Sequence, residues 1–225
     1  MKLLTKSKEI EKAFKQLINN YSEFYWGTAW AGVDFICFEE LKKNKAKIKK
    51  IIVGTSFDHT HPEFIREFQR NRSVRFNREG ELFHLKIYLF QNNSKDWAIL
   101  LGSMNFTMAG FSKNVEALIF ITNKDDGGTT IYNNAIDLIN ENWEKGRYFS
   151  DNDLEEYEKD YSNQVRRSGK YGDNKPGKPI NRSKIMNMPW QDYVDGVKKE
   201  KEHTTEGRLL VLTTASVLSH KSIDI

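Results

Sequence analysis

The sequence has 225 residues, of which 38% are hydrophobic and 12% aromatic. This length suits one domain of ordinary size, and so many aromatic residues exclude a disordered chain. The 35 basic and 31 acidic side chains leave a formal charge of +4, which permits a polyanionic partner without demanding one. The single cysteine excludes an internal disulfide framework and fits a reducing compartment.

No membrane or secretion signal is predicted. No apolar run approaches the roughly 18 to 20 residues that a membrane span needs. The opening residues, MKLLTKSKEIEKAF, carry charges where the apolar stretch of a signal peptide would lie. We therefore expect a cytoplasmic protein without a membrane segment.

Helices and strands alternate over the first 145 residues. Helical spacing of apolar residues predicts helices over residues 7–19, 35–41, 61–70 and 130–143. Runs of aromatic, β-branched and small residues predict strands over 24–32, 48–54, 82–90, 97–101 and 115–122. This alternation favours an α/β sandwich around a mixed sheet.

The composition changes after residue 150. A helix is predicted to begin there with Asp151 or Asp153 as its cap. Seven basic residues among glycines and prolines from Arg166 to Lys184 predict a mobile basic linker. Another helix is predicted to begin at Pro189, followed by a short apolar end. We therefore divide the chain into a domain over 1–150 and a helical and basic tail over 151–225, which could lead to a separate domain.

Polar residues that suit phosphate chemistry follow one another along the chain. His84 and Lys86 lie two apart in FHLKIYLF, so a strand would project both from one face. The next strand ends in GSMNFTMAG, where Ser103, Asn105 and backbone N–H groups could bind an anion. Glu116 begins a further strand in KNVEALIFI, and burying its charge would be costly without a cationic or imidazole partner. A single histidine on a strand is more often structural than catalytic, so the combination carries the argument.

HLK, GSMNFT and NVE in this order resemble the phospholipase D superfamily, whose signature is H-x-K followed by G-S-x-N. The segments GTAWAG and KIIVGT, which precede the motif, also resemble strands of that superfamily. The resemblance covers roughly residues 20 to 145. It implies an αβα sandwich around a central mixed β-sheet, with the catalytic domain over 1–150.

One position departs from the familiar H-x-K-x-x-x-x-D pattern. Gln91 stands where the lipid-cleaving branch has an aspartate. A nuclease branch, which includes metal-independent restriction endonucleases, lacks that aspartate and has a glutamate after G-S-x-N, where Glu116 stands. The sequence thus resembles the nucleases more closely than the phospholipases.

The resemblance implies a metal-independent mechanism without a cofactor. His84 would attack phosphorus and form a phosphohistidine. Lys86 and Asn105 would bind the phosphate oxygens, and Ser103 is a further candidate for that role. Glu116 would orient His84. Because the scheme needs two imidazoles and the chain has one motif, the resemblance implies a homodimer with one site at its interface. The expected substrate is DNA, and the expected role that of a restriction or defence-type endonuclease.

Two alternatives stay open. The protein could be a phospholipase or phosphatidyltransferase of the same superfamily, or a nucleic-acid-binding module with a silent site. Gln91 and the basic tail disfavour the first alternative. The intact set of His84, Lys86, Asn105 and Glu116 disfavours the second.

Several other features have ordinary structural interpretations. His59 and His61 could be part of a metal site, but such pairs are common by chance in loops. Six lysines from Lys42 to Lys50 predict a solvated helix end and edge strand rather than a DNA-binding track. Cys37 reads as a small buried residue. The tryptophans predicted to lie in the core are Trp26, Trp30 and Trp97.

Overall fold

The computed structural model of the protein describes residues 1–78, 82–126 and 130–172, with side chains as far as residue 165. The strands are β1 (Lys2–Leu4), β2 (Glu23–Thr28), β3 (Ile48–Gly54), β4 (Val74–Asn77), β5 (Lys86–Asn93), β6 (Asp96–Gly102) and β7 (Leu118–Thr122). The α-helices in this part of the chain are α1 (Ser7–Asn20), α2 (Ile36–Lys43), α3 (Pro62–Phe68), α4 (Met108–Ser112), α5 (Thr130–Lys145) and α6 (Asp151–Gly172).

The strands form one seven-stranded mixed sheet in the order β1-β7-β6-β5-β2-β3-β4. β2, β3 and β4 run parallel to one another, and β5, β6, β7 and β1 add antiparallel neighbours on the other side of β2. One face of the sheet packs against apolar residues of α1, α2, α3, α4 and the start of α6. The opposite face packs against α5. The predicted αβα sandwich is confirmed.

Aromatic side chains fill the larger of the two cores. Phe14 of α1 lies edge-on to Tyr88 of β5 at 4.8 Å and to Phe111 of α4 at 5.0 Å between ring centroids. Trp26 of β2 is 1% exposed and packs against the same group. Truncating such a ring to alanine costs about 3 to 5 kcal/mol, so these contacts fix α1 on the sheet. Cys37 is buried beside them, as predicted.

The elements predicted within residues 1–150 are present, but three strands are shorter than expected. The strand predicted over 24–32 ends at Thr28. β5 begins at Lys86, so His84 precedes the strand. The prediction that His84 and Lys86 share a strand face was therefore wrong. β7 begins at Leu118, which leaves Glu116 in the preceding loop. Sheet pairing explains the bounds of β2 and β5, because Thr28 and Lys86 form the last pair between these two strands.

The cap of α6 differs from the prediction. Ser150 precedes the helix, and its hydroxyl accepts a hydrogen bond from the backbone N–H of Asp153 at 3.1 Å. The carboxylate of Asp153 in turn accepts from the backbone N–H of Ser150 at 2.8 Å, which completes a capping box. Ser150 is therefore the cap, in place of Asp151 or Asp153.

Met1–Ser168 form the first of two units of the chain. The first unit includes α6 residues beyond the expected boundary at 150, because Leu154 and Tyr157 are buried in the core. α6 runs through residues 166–172, where a mobile linker was predicted. The rest of that basic segment, the helix predicted at Pro189 and the apolar end lie outside the described residues. Among the helices described, none is both long and apolar enough to cross a membrane.

Candidate active site

The segment that carries His84 lies across the ends of β2 and β3. A Cβ atom at Gly27 would come within 2.6 Å of the Leu85 side chain. A Cβ atom at Gly54 would come within 3.1 Å of the Phe83 ring and 2.5 Å of a backbone oxygen. These two glycines, from GTAWAG and KIIVGT, therefore allow Phe83 and Leu85 to pack close to the sheet. With its neighbours fixed, His84 points to the exposed side.

Lys86 is a buried cation at the start of β5. The residue is 7% exposed, and its ammonium donates a hydrogen bond to the carbonyl oxygen of His84 at 3.1 Å. Burial lowers the pKa of Lys86 below its usual value, while the negative charge of Glu116 opposes that shift. The carboxylate thus helps to keep the ammonium charged.

The imidazole of His84 is biased toward its neutral form. Partial burial lowers the pKa of His84, and the nearby charge of Lys86 lowers it further. A neutral imidazole has a free lone pair and can act as a nucleophile or a general base. The His84 side chain is exposed, and its lowered pKa favours the neutral form that can act as a nucleophile.

Trp30 joins the predicted site residues, although it was predicted to lie in the core. Its indole lies 5.6 Å from the His84 ring and 5.8 Å from the Lys86 ammonium, measured to ring centroids. Its backbone N–H donates to the side-chain oxygen of Asn105 at 3.3 Å. That bond leaves the amide NH₂ group of Asn105 to donate to another partner. The prediction for Trp30 was wrong because β2 ends two residues earlier.

The turn that carries Asn105 is held from the core beneath it. The hydroxyl of Tyr88 donates to the carbonyl of Met104 at 2.8 Å and lies 3.1 Å from the hydroxyl of Thr28. Thr28 also accepts from the backbone N–H of Phe106 at 3.2 Å. These buried bonds fix the turn on both sides of Asn105. Nothing in the sequence alone marked Thr28 or Tyr88 as supports of the site.

Glu116 is 8% exposed and has two hydrogen-bond partners. One carboxylate oxygen accepts from the side-chain amide of Asn114 at 3.0 Å. The other accepts from the hydroxyl of Ser103. Neither of these two bonds involves His84. The orientation of His84 by Glu116 therefore stays a prediction. The Ser103 hydroxyl could bind a phosphate only by sharing its bond to Glu116.

Gln91 lies away from this cluster. It is five residues from Lys86 on the regular strand β5, so the two side chains project from opposite faces. Its amide donates to Glu23 at 2.7 Å, and its carbonyl oxygen accepts from the hydroxyl of Tyr132 at 2.6 Å. The departure from the H-x-K-x-x-x-x-D pattern therefore changes a buried structural network and not the candidate site.

The other histidines in the described region have structural contacts. His61 caps α3, because its Nδ1 atom accepts from the backbone N–H of Glu63 at 3.2 Å. His59 packs edge-on against Trp30 at 4.9 Å. Among residues 1–78, 82–126 and 130–165, no group of three or more histidine, cysteine or acidic side chains is arranged to bind a metal.

The lysine run at Lys42–Lys50 is largely neutralised. Its lysines pair with carboxylates at 2.9 to 3.6 Å, including Lys43 with Glu40 and Lys45 with Glu67. This agrees with the solvated face that was predicted. β3 is an interior strand, however, and not the edge strand expected from the sequence.

Comparisons with known proteins give a family and a fold. Residues 7–143 match the family described as "Cardiolipin synthase, PLD-like domain". NucT from Helicobacter pylori has a TM-score of 0.52 and 17% identity, over 66% of this chain and 98% of its own. Nuc from Salmonella typhimurium, a phospholipase D family member, has a TM-score of 0.50 and 18% identity, over 66% and 97%. At these identities the likeness shows a shared fold. No curated protein matches the sequence.

Proposed function

The chain belongs to the phospholipase D superfamily, and we propose that it is a metal-independent phosphodiesterase that cleaves DNA through a phosphohistidine. The observation that carries this proposal is the grouping of His84, Lys86 and Asn105 around Trp30. The three side chains supply a nucleophile, a fixed positive charge and an amide donor. Phosphodiester cleavage without a metal needs these components together with an acid for the leaving oxygen.

The reaction begins when the neutral imidazole of His84 attacks phosphorus. A P–N bond forms as the P–O bond to the leaving group breaks. Lys86 and Asn105 bind the phosphoryl oxygens, on which negative charge is concentrated in the transition state. Fixed donors are effective here because they need no reorganisation during the reaction.

A second imidazole must protonate the leaving oxygen, and we propose that it is His84 of the partner subunit in a two-fold homodimer. The same imidazole then removes a proton from water, which attacks phosphorus and breaks the P–N bond. The products are two free ends, and both histidines return to their starting states. General acid and base steps of this kind each contribute about 10²- to 10⁴-fold to the rate.

Exposed apolar residues at the end of the sheet where β5 begins support a dimer, and two of them, Leu101 and Ile119, project from the face opposite to Lys86. Val115, next to Glu116, is fully exposed, and Leu101, which precedes the G-S-x-N turn, is 38% exposed. Ile119 pairs with Leu101 across β6 and β7 and is 39% exposed. Exposed apolar patches of this kind are typical of protein interfaces. A two-fold axis beside them would bring the two sites together.

DNA is proposed as the substrate because the site resembles the nuclease branch and the chain carries a positive net charge. We further propose a restriction or defence role. A phospholipid is the second candidate, since the matching family is described as cardiolipin synthase. Because Gln91 does not reach the site, that residue does not distinguish the two substrates.

The test is cleavage of supercoiled plasmid in EDTA. The parent protein, a His84→Ala variant and a His61→Asn control are compared, since asparagine retains a capping oxygen for α3. We expect nicking or linearisation by the parent and the control, and none by His84→Ala. Equal cleavage by His84→Ala would contradict the mechanism. Absence of cleavage by the parent, with turnover of phospholipid vesicles that depends on His84, would favour the lipid candidate.

A further inference from the structure

An exposed aromatic side chain lies in a strained loop that is linked to His84 through the rings of His59 and Trp30. Phe57 is 62% exposed and has a φ of 60°. The next residue, Asp58, has a φ of 51°. Non-glycine residues in the left-handed region cost about 1 to 3 kcal/mol each and are concentrated at functional sites. The fold therefore maintains this loop conformation against its own backbone preference.

The loop is fixed from both sides. The hydroxyl of Thr60 donates to the carbonyl of Gly54 at 2.6 Å. The backbone carbonyl of Thr60 accepts from the Tyr157 hydroxyl at 2.7 Å. The indole N–H of Trp30 donates to the carbonyl of Ser56 at 3.1 Å. These bonds hold the loop immediately before and after its exposed tip. The Phe57 ring is thus presented to solvent by an anchored backbone.

Four rings form a continuous path from this tip to the proposed nucleophile. The centroids of Phe57 and His59 are 6.3 Å apart, and those of His59 and Trp30 are 4.9 Å apart. Trp30 then lies 5.6 Å from His84. A phosphate positioned at His84 would therefore have aromatic surface on one side, within the reach of an adjoining nucleotide.

We propose that Phe57, His59 and Trp30 form a base-stacking surface for unpaired nucleobases next to the scissile phosphate. This inference rests on the proposed function and makes the preferred substrate single-stranded. In a duplex the faces of the bases are covered by their neighbours, whereas an unstacked base can lie against an aromatic ring. Stacking on a protein ring contributes about 1 to 3 kcal/mol per base.

The test combines a protein variant with a substrate that lacks bases. Affinities are measured in the non-cleaving His84→Ala background for an oligonucleotide and for the same strand with a central abasic stretch. We expect the abasic strand to bind about 5- to 150-fold more weakly than the intact strand. Phe57→Ala should weaken binding of the intact strand by a similar factor, and it should leave the abasic strand unaffected. Phe57→Trp should restore the preference.

The salt dependence separates stacking from charge. Phe57→Ala should leave the slope of log Kd against log salt unchanged, because that slope counts phosphate contacts. Leu138→Ala, which truncates a 40% exposed apolar residue of α5, is the matched control and should bind like the parent. The inference is overturned if Phe57→Ala weakens intact and abasic strands equally, or if it has no effect. Failure of the proposed function would be seen separately, as absence of cleavage of both the plasmid and the intact oligonucleotide by the parent protein in EDTA.

Discussion

Replacing Thr28 by valine should loosen the candidate site by removing one buried hydroxyl. This hydroxyl donates to the carbonyl of Trp30 at 3.0 Å and accepts from the backbone N–H of Phe106 at 3.2 Å. Trp30 contacts His84, and Phe106 follows Asn105 directly. Thr28 is 1% exposed, so water cannot readily replace the lost partner.

The loss of each of these two hydrogen bonds should lower the free energy of unfolding by a different amount. The Phe106 N–H is buried, and an unsatisfied buried donor costs about 1 to 3 kcal/mol. The Trp30 carbonyl is only partly buried, so its loss should cost less. We expect the free energy of unfolding to fall by about 2 to 4 kcal/mol in total. This is below the stability of roughly 5 to 15 kcal/mol that is usual for a domain, so the variant should still fold.

Urea unfolding and plasmid cleavage in EDTA measure the two consequences. Thr28→Ser is the matched control, because it retains the hydroxyl and loses one methyl group. We expect the valine variant to be less stable than the serine variant and to cleave at least tenfold more slowly at a temperature where both are folded, a change of about 1.4 kcal/mol in the barrier. If valine proves as stable and active as serine, the hydroxyl does not support the site.

Three further predictions address the turn, the imidazole and α6. Gly102→Ala should lower the free energy of unfolding in urea by about 1 to 3 kcal/mol and slow cleavage, because the new Cβ would lie 2.0 Å from the carbonyl oxygen of Ala117. A neutral effect would show that the backbone at Ala117 can shift without cost. The mechanism needs one neutral and one protonated His84, and the pKa of this residue is lowered, so kcat/KM should be bell-shaped in pH with its acid limb below about 6.5. An acid limb above that value would contradict the shift, and the lack of an alkaline limb would contradict the acid role. Ser150→Ala should lower the free energy of unfolding by about 1 kcal/mol, whereas Ser150→Asp should not, and equal losses would argue against the cap.

The main elements could be predicted from the sequence because their hydrophobic patterns are long and regular. The helix at 7–19 and the strand at 48–54 agree with α1 and β3 to within a residue or two. The short strands β1 and β4 were missed, since three or four residues give too little alternation to identify. Their places at the two edges of the sheet depend on neighbours that are distant in sequence.

The polar residues of the site could be identified, but not their precise surroundings. His84 was placed in a strand because apolar residues flank it, whereas Phe83 and Leu85 pack on glycines at the ends of β2 and β3. Trp30 was assigned to the core because large aromatic residues usually lie there. Its partial burial follows from the end of β2 at Thr28, which is determined by sheet pairing and not by local pattern.

The central claim is that each active site contains one His84 from each of two subunits, and subunit mixing tests it most directly. Parent and His84→Ala chains are co-expressed at a series of ratios, and plasmid cleavage in EDTA is measured at constant total protein. Activity should fall with the square of the parent fraction, to about one quarter at equal amounts. Mixing with His61→Asn chains should leave activity unchanged. A linear fall, to about one half at equal amounts, would show that each subunit acts alone and would contradict the account.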